Sequence, residues 1–334
     1  MSFPGGNQDS WAMPEHRDRM SLVADVGGTN SRVALAEGHA LRKNSVRKFR
    51  NSEFESLESL LRRYEDDVGL VCDAVAVAIA GPVQDGRGTL TNLDWTVERE
   101  ALSSVIGAQT VSVLNDLQAQ AHALHVIPHG HLTPIIAVEA KETSSRRLVV
   151  GIGTGFNSAL AVPNGPGLMV TPSESGHALL RASNSEDQEF AAFVAESTGF
   201  ASVEDALSGR GIENIDAWQA SRRGARKSRS ATEVLKHFED GDVFAKRTLE
   251  TFVRILGSVC GDLALIHLPF SGIYLVGGVA RAVAPYLRDT GFVESFRSKG
   301  RFSKFMEQFP VCVVDDDFAA LSGLAVHLDD LRYG

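Results

Sequence analysis

The sequence predicts an α/β protein of two lobes, each opened by the same strand–glycine turn–strand unit. Three observations carry this. Apolar, strand-like runs alternate with helical stretches along the chain. The run from Leu22 to Leu35 reads as a strand, a Gly27-Gly28 turn and a second strand, and the stretch around Gly151-Ile152-Gly153-Thr154-Gly155 repeats that pattern. At 334 residues the chain is long enough for two lobes, each with its own core.

The elements follow in order. Residues 21–26 and 32–36 form the opening hairpin, and 45–49 reads as a third strand. Phe54, Leu57, Leu60 and Leu61 recur at helical spacing, which predicts a helix over 53–66. Residues 74–80 are an apolar run stopped by Gly81-Pro82, the pattern of a buried strand. Residues 111–114 are another strand, followed by a helix over 117–124 with Pro128 beyond it. Residues 147–151 and 157–162 are the second hairpin, and the pattern turns mainly helical from Ser185. Residues 244–267 are the clearest helix, with Leu249, Phe252, Val253, Leu256, Cys260 and Leu263 on one face and Pro269 past the end. A strand over 272–276 feeds Gly277-Gly278 and a helix through Leu287. Residues 311–314 are the last strand, and 318–331 the terminal helix.

Composition narrows the function classes. Hydrophobic residues are 43% and charged residues 22%, as in ordinary globular proteins. A formal net charge of -9 argues against non-specific nucleic-acid binding, which needs a basic face. Cys72, Cys260 and Cys312 are scattered and odd in number, which suggests reduced thiols rather than a disulfide framework. Residues 1–20 are polar, lack an apolar core and read as a disordered leader. No apolar run is long enough to span a bilayer, so no membrane association is expected and the expected home is the cytoplasm. A Walker A motif and a G-x-S-x-G elbow are absent. His122, His125, His129 and His131 cluster without metal-ligand spacing and read as a surface patch. Residues 221–230 are basic and read as a solvated loop.

Four turns at strand ends carry candidate chemistry. The first is Asp25-Val26-Gly27-Gly28-Thr29-Asn30. Its glycines let backbone N–H groups approach phosphate oxygens, Thr29 adds a hydroxyl, and Asp25 can hold Mg²⁺ directly or through water. The same six residues also fit an ordinary hairpin turn. The second is Asn115-Asp116, at a strand end before a helix; an Asp there also fits a helix cap. The third is Gly153-Thr154-Gly155 and the fourth Gly277-Gly278.

In order and spacing these segments resemble the bacterial glucokinase family of the hexokinase/actin-like superfamily, from about Ser21 to the C-terminus. Asp25 to Asn30 resembles the family's first phosphate motif, Gly153-Thr154-Gly155 its second, and Gly277-Gly278 its adenosine motif. Leu90-Thr91-Asn92-Leu93-Asp94-Trp95 and Asn115-Asp116 fall at its sugar-side segments. Ser173-Glu174-Ser175-Gly176-His177 is similar to its Gly-Glu-Gly-Gly-His segment. Val203 to Gly209 resembles the helix start that carries another sugar-binding Glu.

The resemblance implies a ribonuclease H-like fold of duplicated α/β lobes around a central cleft. The small lobe would take 21–126 plus 317–334, and the large lobe 127–316. It implies ATP as co-substrate, Mg²⁺, and glucose or a related hexose in that cleft, with closure excluding water. Asp116 would be the general base on the sugar 6-hydroxyl, a weak nucleophile that needs one. Asn92, Asn115, Glu174, His177 and Glu204 would bind the sugar. Gly27, Gly28, Thr29, Asn30, Gly153, Thr154, Gly155, Gly277 and Gly278 would hold the nucleotide, with Asp25 toward Mg²⁺. A kinase for another hexose or an amino sugar, or a non-catalytic sugar-sensing regulator, is the alternative on the same fold. A homodimer is expected, as the commonest soluble assembly. The chain departs from the family pattern in Ser173 and Ser175, where glycines usually flank the Glu, and in Phe156-Asn157, where Leu-Gly is usual. These changes add side chains beside the turns and remove no proposed catalytic group.

Overall fold

The computed structural model describes residues 20–90, 93–138, 146–165, 167–225 and 229–333. The chain divides into two units, described separately here. One runs up to Pro128 and includes Ala161–Pro172 and Asp316–Gly334; the other comprises His129–Leu160 and Ser173–Asp315. Residues 161–172, which the sequence places in the large lobe, group with the N-terminal unit.

The N-terminal unit is built on β1 (Met20–Val26), β2 (Asn30–Glu37), β3 (Ala40–Leu41), β4 (Arg47–Arg50), β5 (Ala74–Ile79), the small sheet β6 (Val83–Gln84), β7 (Arg87–Thr89) and β8 (Thr96–Glu98), and β9 (Thr110–Asn115). The main sheet has the order β3-β2-β1-β5-β9, with β4 also on β2. β1 runs antiparallel to β2 and parallel to β5, and β5 is parallel to β9. Both faces are covered, which is why β1 and β5 read as continuous apolar runs. On one face Leu22, Ala24 and Val26 pack with Leu57, Leu60, Leu61 and Tyr64 of α1 (Leu57–Val68). On the other, Val23, Ala76 and Ala78 meet Leu321, Leu324 and Leu328 of the C-terminal helix.

The first helix starts later than its apolar spacing suggests. Ser56 and Ser59 cap it reciprocally, so Phe54 is extended and the helix begins at Leu57. Helices α2 (Arg99–Ile106) and α3 (Asp116–Ala123) complete this half.

The C-terminal unit holds β10 (Leu132–Ile136), β11 (Arg147–Ile152), β12 (Phe156–Asn164), β14 (Ile273–Val276) and β15 (Val311–Val314), in a sheet of order β10-β15-β14-β11-β12-β13, where β13 (Gly167–Pro172) and the end of β12 count with the other unit. β11, β14 and β15 are parallel. The order β12-β11-β14-β15 repeats β2-β1-β5-β9, the duplication anticipated from the two glycine turns. Around it lie α4 (Ser185–Thr198), α5 (Val203–Ala206), α6 (Gly209–Ser221), α7 (Ala231–Glu239), α8 (Val243–His267), α9 (Gly278–Val283) and α10 (Phe292–Arg297). α9 stops at Val283 rather than Leu287, because Pro285 has no N–H to return to the Arg281 carbonyl.

The last helix, α11 (Ala319–Tyr333), returns to the N-terminal unit and lies against α3, β1 and β5. Gly323 allows the close approach: a Cβ there would collide with the Ala119 carbonyl of α3. Across this contact the His122 and His327 rings pack at a 49° tilt, their centroids 4.5 Å apart. His327 Nε2 lies 2.8 Å from the Ser112 hydroxyl. His122 is therefore a buried core residue, which corrects the surface-patch reading for that histidine, whereas His125 and His129 are exposed as expected. Among the described residues no His, Cys, Asp and Glu group of three or more could hold a metal, and the three cysteines are free and buried. The basic segment is not wholly solvated either. Arg229 turns inward to Asp216 at 2.6 Å and Asp242 at 3.1 Å, while residues 226–228 lie outside the described residues. No helix of the described residues is long and apolar enough to cross a membrane.

Candidate active site

Sheet register brings distant residues of the N-terminal unit to one edge. Val26 pairs with Ile79, and Ile79 with Asn115, so the C-terminal ends of β1, β5 and β9 are level. Ligands of open α/β sheets collect outside these ends. Asp25 and the Gly27–Asn30 turn sit at the end of β1, and Asn115-Asp116 at the end of β9.

The first turn is tied by Gly27 N–H donating to the Asn30 carbonyl at 3.1 Å. The buried Asn51 braces it from behind. Its Nδ2 donates to the Gly27 carbonyl at 2.7 Å, its backbone N–H donates to Thr29 O at 3.0 Å, and its Oδ1 accepts from Ser31 at 2.7 Å. In front of the turn a pocket of about 300 Å³ is lined by Asp25, Gly27, Gly28, Thr29, Asn30, Arg32 and Lys48. Two cations thus face a glycine turn. The sequence analysis missed Arg32, Lys48 and Asn51. Alternation could have flagged Arg32, two residues past Asn30 on the same face. Lys48 becomes its neighbour only through the β2–β4 register, where Arg32 and Lys48 are partners.

Burial pushes the Asp25 carboxyl above its usual range, and the Arg32 guanidinium, 3.8 Å away, pulls it back. A desolvated carboxylate beside phosphate donors suits Mg²⁺, which binds through one or two carboxylates, waters and substrate phosphates rather than an all-protein cage. The donor set fits that ion.

At the end of β9, Asn115 is the N-cap of α3. Its Oδ1 accepts from Gln118 N–H at 2.7 Å, and its own N–H donates to Gln118 Oε1 at 3.1 Å. Asp116 is the first helical residue, its Oδ1 accepting from Leu117 N–H at 2.9 Å. The cap that sequence alone could equally give to Asp116 is filled by Asn115. Asn92 lies outside the described residues.

In the C-terminal unit, Gly151 pairs with Val276, which sets the β11–β12 turn level with Gly277-Gly278. Gly153 N–H donates to the Gly155 carbonyl, and Gly153 O accepts from Gly209 N–H at the start of α6, both at 2.9 Å. Gly277 has φ 102, and a Cβ on it would collide with the Ile152 carbonyl, so only glycine serves. Thr154 is exposed at the tip of its turn.

Glu204 reaches this same turn. Its Oε2 accepts from Phe156 N–H at 3.0 Å, and its Oε1 pairs with Arg210 at 3.2 Å. A Cβ at Gly155 would stand 2.5 Å from Glu204 Oε2. Gly155→Ala is therefore expected to expel the carboxylate and cost about 1–3 kcal/mol of stability, through the loss of its hydrogen bond from Phe156 N–H. Urea unfolding of the purified variant checks it.

Glu174 precedes and His177 ends a short 3₁₀ turn, with His177 N–H donating to the Glu174 carbonyl at 3.1 Å. Both side chains are exposed, so His177 is not a buried structural histidine. Glu174 Oε2 accepts from Asn157 Nδ2 at 2.9 Å.

A family model described as Glucokinase matches residues 22–331. A protein named glucokinase from Cupriavidus pinatubonensis is 33% identical over 334 residues, covering 97% of this chain and 96% of its own. The crystal structure of a glucokinase from an Antarctic psychrotroph superimposes with a TM-score of 0.83 at 30% identity, covering 93% of this chain and 99% of that one. A Balamuthia mandrillaris glucokinase solved in complex with glucose superimposes at 0.75 with 19% identity, over 93% and 94% of the two chains.

Proposed function

The chain belongs to the glucokinase family, and we propose from this premise a division of labour for an ATP-dependent transfer of phosphate to glucose. The N-terminal unit supplies the base, the Asp25 turn and its two cations. The C-terminal unit supplies the second glycine turn, the Gly277-Gly278 step and the acids and imidazole for the sugar. One observation carries the assignment of the base. With Asn115 as the cap, helix α3 does not need Asp116 to end its first turn, and Asp116 stands at the same sheet edge as the Asp25 turn.

The reaction then runs as follows. Asp116 accepts the proton of the glucose 6-hydroxyl as that oxygen bonds the γ-phosphorus; the bond from the γ-phosphorus to the β–γ bridging oxygen breaks, and ADP leaves. Gly27 and Gly153 spend their N–H groups on closing the two turns, so the backbone N–H groups of Gly28 and Gly155, with the hydroxyls of Thr29 and Thr154, are the donors that hold phosphate oxygens. Asn30 lines the same turn. Gly277 and Gly278 let the nucleoside approach the backbone. Arg32 and Lys48 offset charge on the transferring group. Asp25 would hold Mg²⁺, which when bound neutralises phosphate charge. Glu174, His177, Glu204 and Asn115 meet the sugar hydroxyls with directional donors and acceptors, and Asn92 belongs to the same set by resemblance. Asn115 keeps its Oδ1 on the cap, so its amide N–H is the end offered to sugar. We take the working form to be a cytoplasmic homodimer, the commonest soluble assembly.

A coupled assay with ATP and glucose, mannose, fructose or N-acetylglucosamine tests the substrate. The highest kcat/KM is expected for glucose. Turnover confined to N-acetylglucosamine would move the chain to amino-sugar kinases. Lys48→Ala is expected to raise the KM for ATP about five-fold and leave the KM for glucose unchanged, because it removes one phosphate-facing charge. Varying each substrate in turn checks the split.

A further inference from the structure

Asn157, Ser158, Ser173 and Ser175 close around Glu174 in one hydrogen-bonded cluster within the C-terminal unit. Asn157 Nδ2 donates to Glu174 Oε2 at 2.9 Å. At the other end of the amide, Oδ1 accepts from the backbone N–H groups of Ser158 at 2.8 Å and Ser175 at 3.0 Å. The hydroxyls of Ser173 and Ser175 also lie 3.3 Å from that oxygen. The buried Ser158 hydroxyl stands 2.8 Å from that of Ser173 and 2.9 Å from that of Ser175. Ser173 N–H returns to the Ser158 carbonyl at 3.2 Å, which ties the 173–175 segment to β12.

This arrangement allows the amide one orientation. Turned over, its NH₂ would face two backbone N–H groups and its oxygen would face a carboxylate. Its donor end is therefore committed to Glu174. Among the described residues no other side chain bonds that carboxylate. An exposed glutamate is otherwise free to sample many rotamers, and holding one in advance removes that entropy from binding. Asn157, Ser173 and Ser175 are also the three positions where this chain departs from the glycines of the family it resembles. Glycine could supply neither the amide nor the hydroxyls, so the three departures form a single structural unit.

We propose that Asn157 is a positioning residue: its amide, locked by Ser158, Ser173 and Ser175, holds the Glu174 carboxylate in the rotamer that receives the sugar. This rests on the reading of Glu174 as a sugar ligand. A double-mutant cycle separates the two claims. Glu174→Ala, Asn157→Gly and the double variant are compared in steady-state glucose kinetics at saturating ATP, with thermal melting as the check on folding.

Glu174→Ala is expected to raise the KM for glucose well above the wild type. Asn157→Gly is expected to raise it about ten-fold, the loss of one charge-assisted hydrogen bond, with kcat within about two-fold. The double variant should bind glucose no worse than Glu174→Ala, because Asn157 acts through that carboxylate. Asn157→Asp keeps the acceptor end, and hence the backbone bonds, but sets a like charge against Glu174; its KM should rise at least as far as that of Asn157→Gly. An unchanged KM in Glu174→Ala would remove the ligand reading itself. A raised KM there, with wild-type KM in Asn157→Gly and Asn157→Asp, would overturn the positioning role alone. Additive effects in the double variant would overturn it too, by showing that Asn157 acts independently of Glu174.

Discussion

Asp116→Asn is expected to lower kcat about 10²- to 10⁴-fold, the usual worth of a positioned general base, while the KM for glucose stays within a few-fold. The amide matches the carboxylate in size and still accepts a hydrogen bond, but it cannot take the hydroxyl proton. The first turn of α3 should be untouched. The cap of α3 is the reciprocal Asn115–Gln118 pair, and the Oδ1 contact to Leu117 N–H survives in Asn. Asn115→Ala is the contrasting variant: it removes the cap itself and should cost about 1 kcal/mol of stability. A coupled assay together with a melting curve reads both. Near-wild-type kcat in a folded Asp116→Asn protein would end the assignment of the base.

The second large effect is on stability at mildly acid pH. His122 and His327 are buried side by side between α3 and α11, and burial lowers their pKa to about 3 and about 4 from 6.5. His122 Nδ1 has no hydrogen-bond partner, so nothing there compensates a charge. Well above pH 6.5 both rings are neutral folded or unfolded, and they contribute no pH dependence. Below 6.5 the unfolded chain takes up protons that the folded chain refuses, so stability falls with pH down toward the folded values. Each ring contributes a slope of up to about 1.4 kcal/mol per pH unit in that window. Urea unfolding of the wild type between pH 7 and pH 5 should show the loss. His122→Phe keeps an aromatic ring in that contact and cannot take up the proton, so its slope should be shallower by about one ring's worth. An identical slope in that variant would show that carboxylates, not this pair, govern acid unfolding.

Much of the fold and of the site was legible in the sequence because it is written in local patterns. The buried parallel strands are continuous apolar runs, since both faces of the sheet are covered. The glycine turns are readable because a backbone that approaches phosphate or another chain segment excludes a Cβ, as at Gly155 and Gly277. The order of these turns, with Asn115-Asp116 between them, sufficed to indicate the family. Helix ends were read less well. Apolar spacing does not mark where a helix begins, whereas the Ser56–Ser59 cap and Pro285 do mark where helices begin and end.

By itself, then, the sequence determined the duplicated α/β organisation, the two glycine turns and the identity of the acid at the end of β9, because periodicity, turn chemistry and motif order act over a few neighbouring residues. Only the tertiary structure decided what those residues touch. Strand register set Lys48 opposite Arg32 at the phosphate turn, and the α3–α11 packing turned His122 from a presumed surface residue into a buried one. It also gathered Asn157, Ser173 and Ser175 around Glu174. The physical reason is common to all three: hydrogen bonds and burial depend on distances across the fold, and a one-dimensional pattern does not carry those distances.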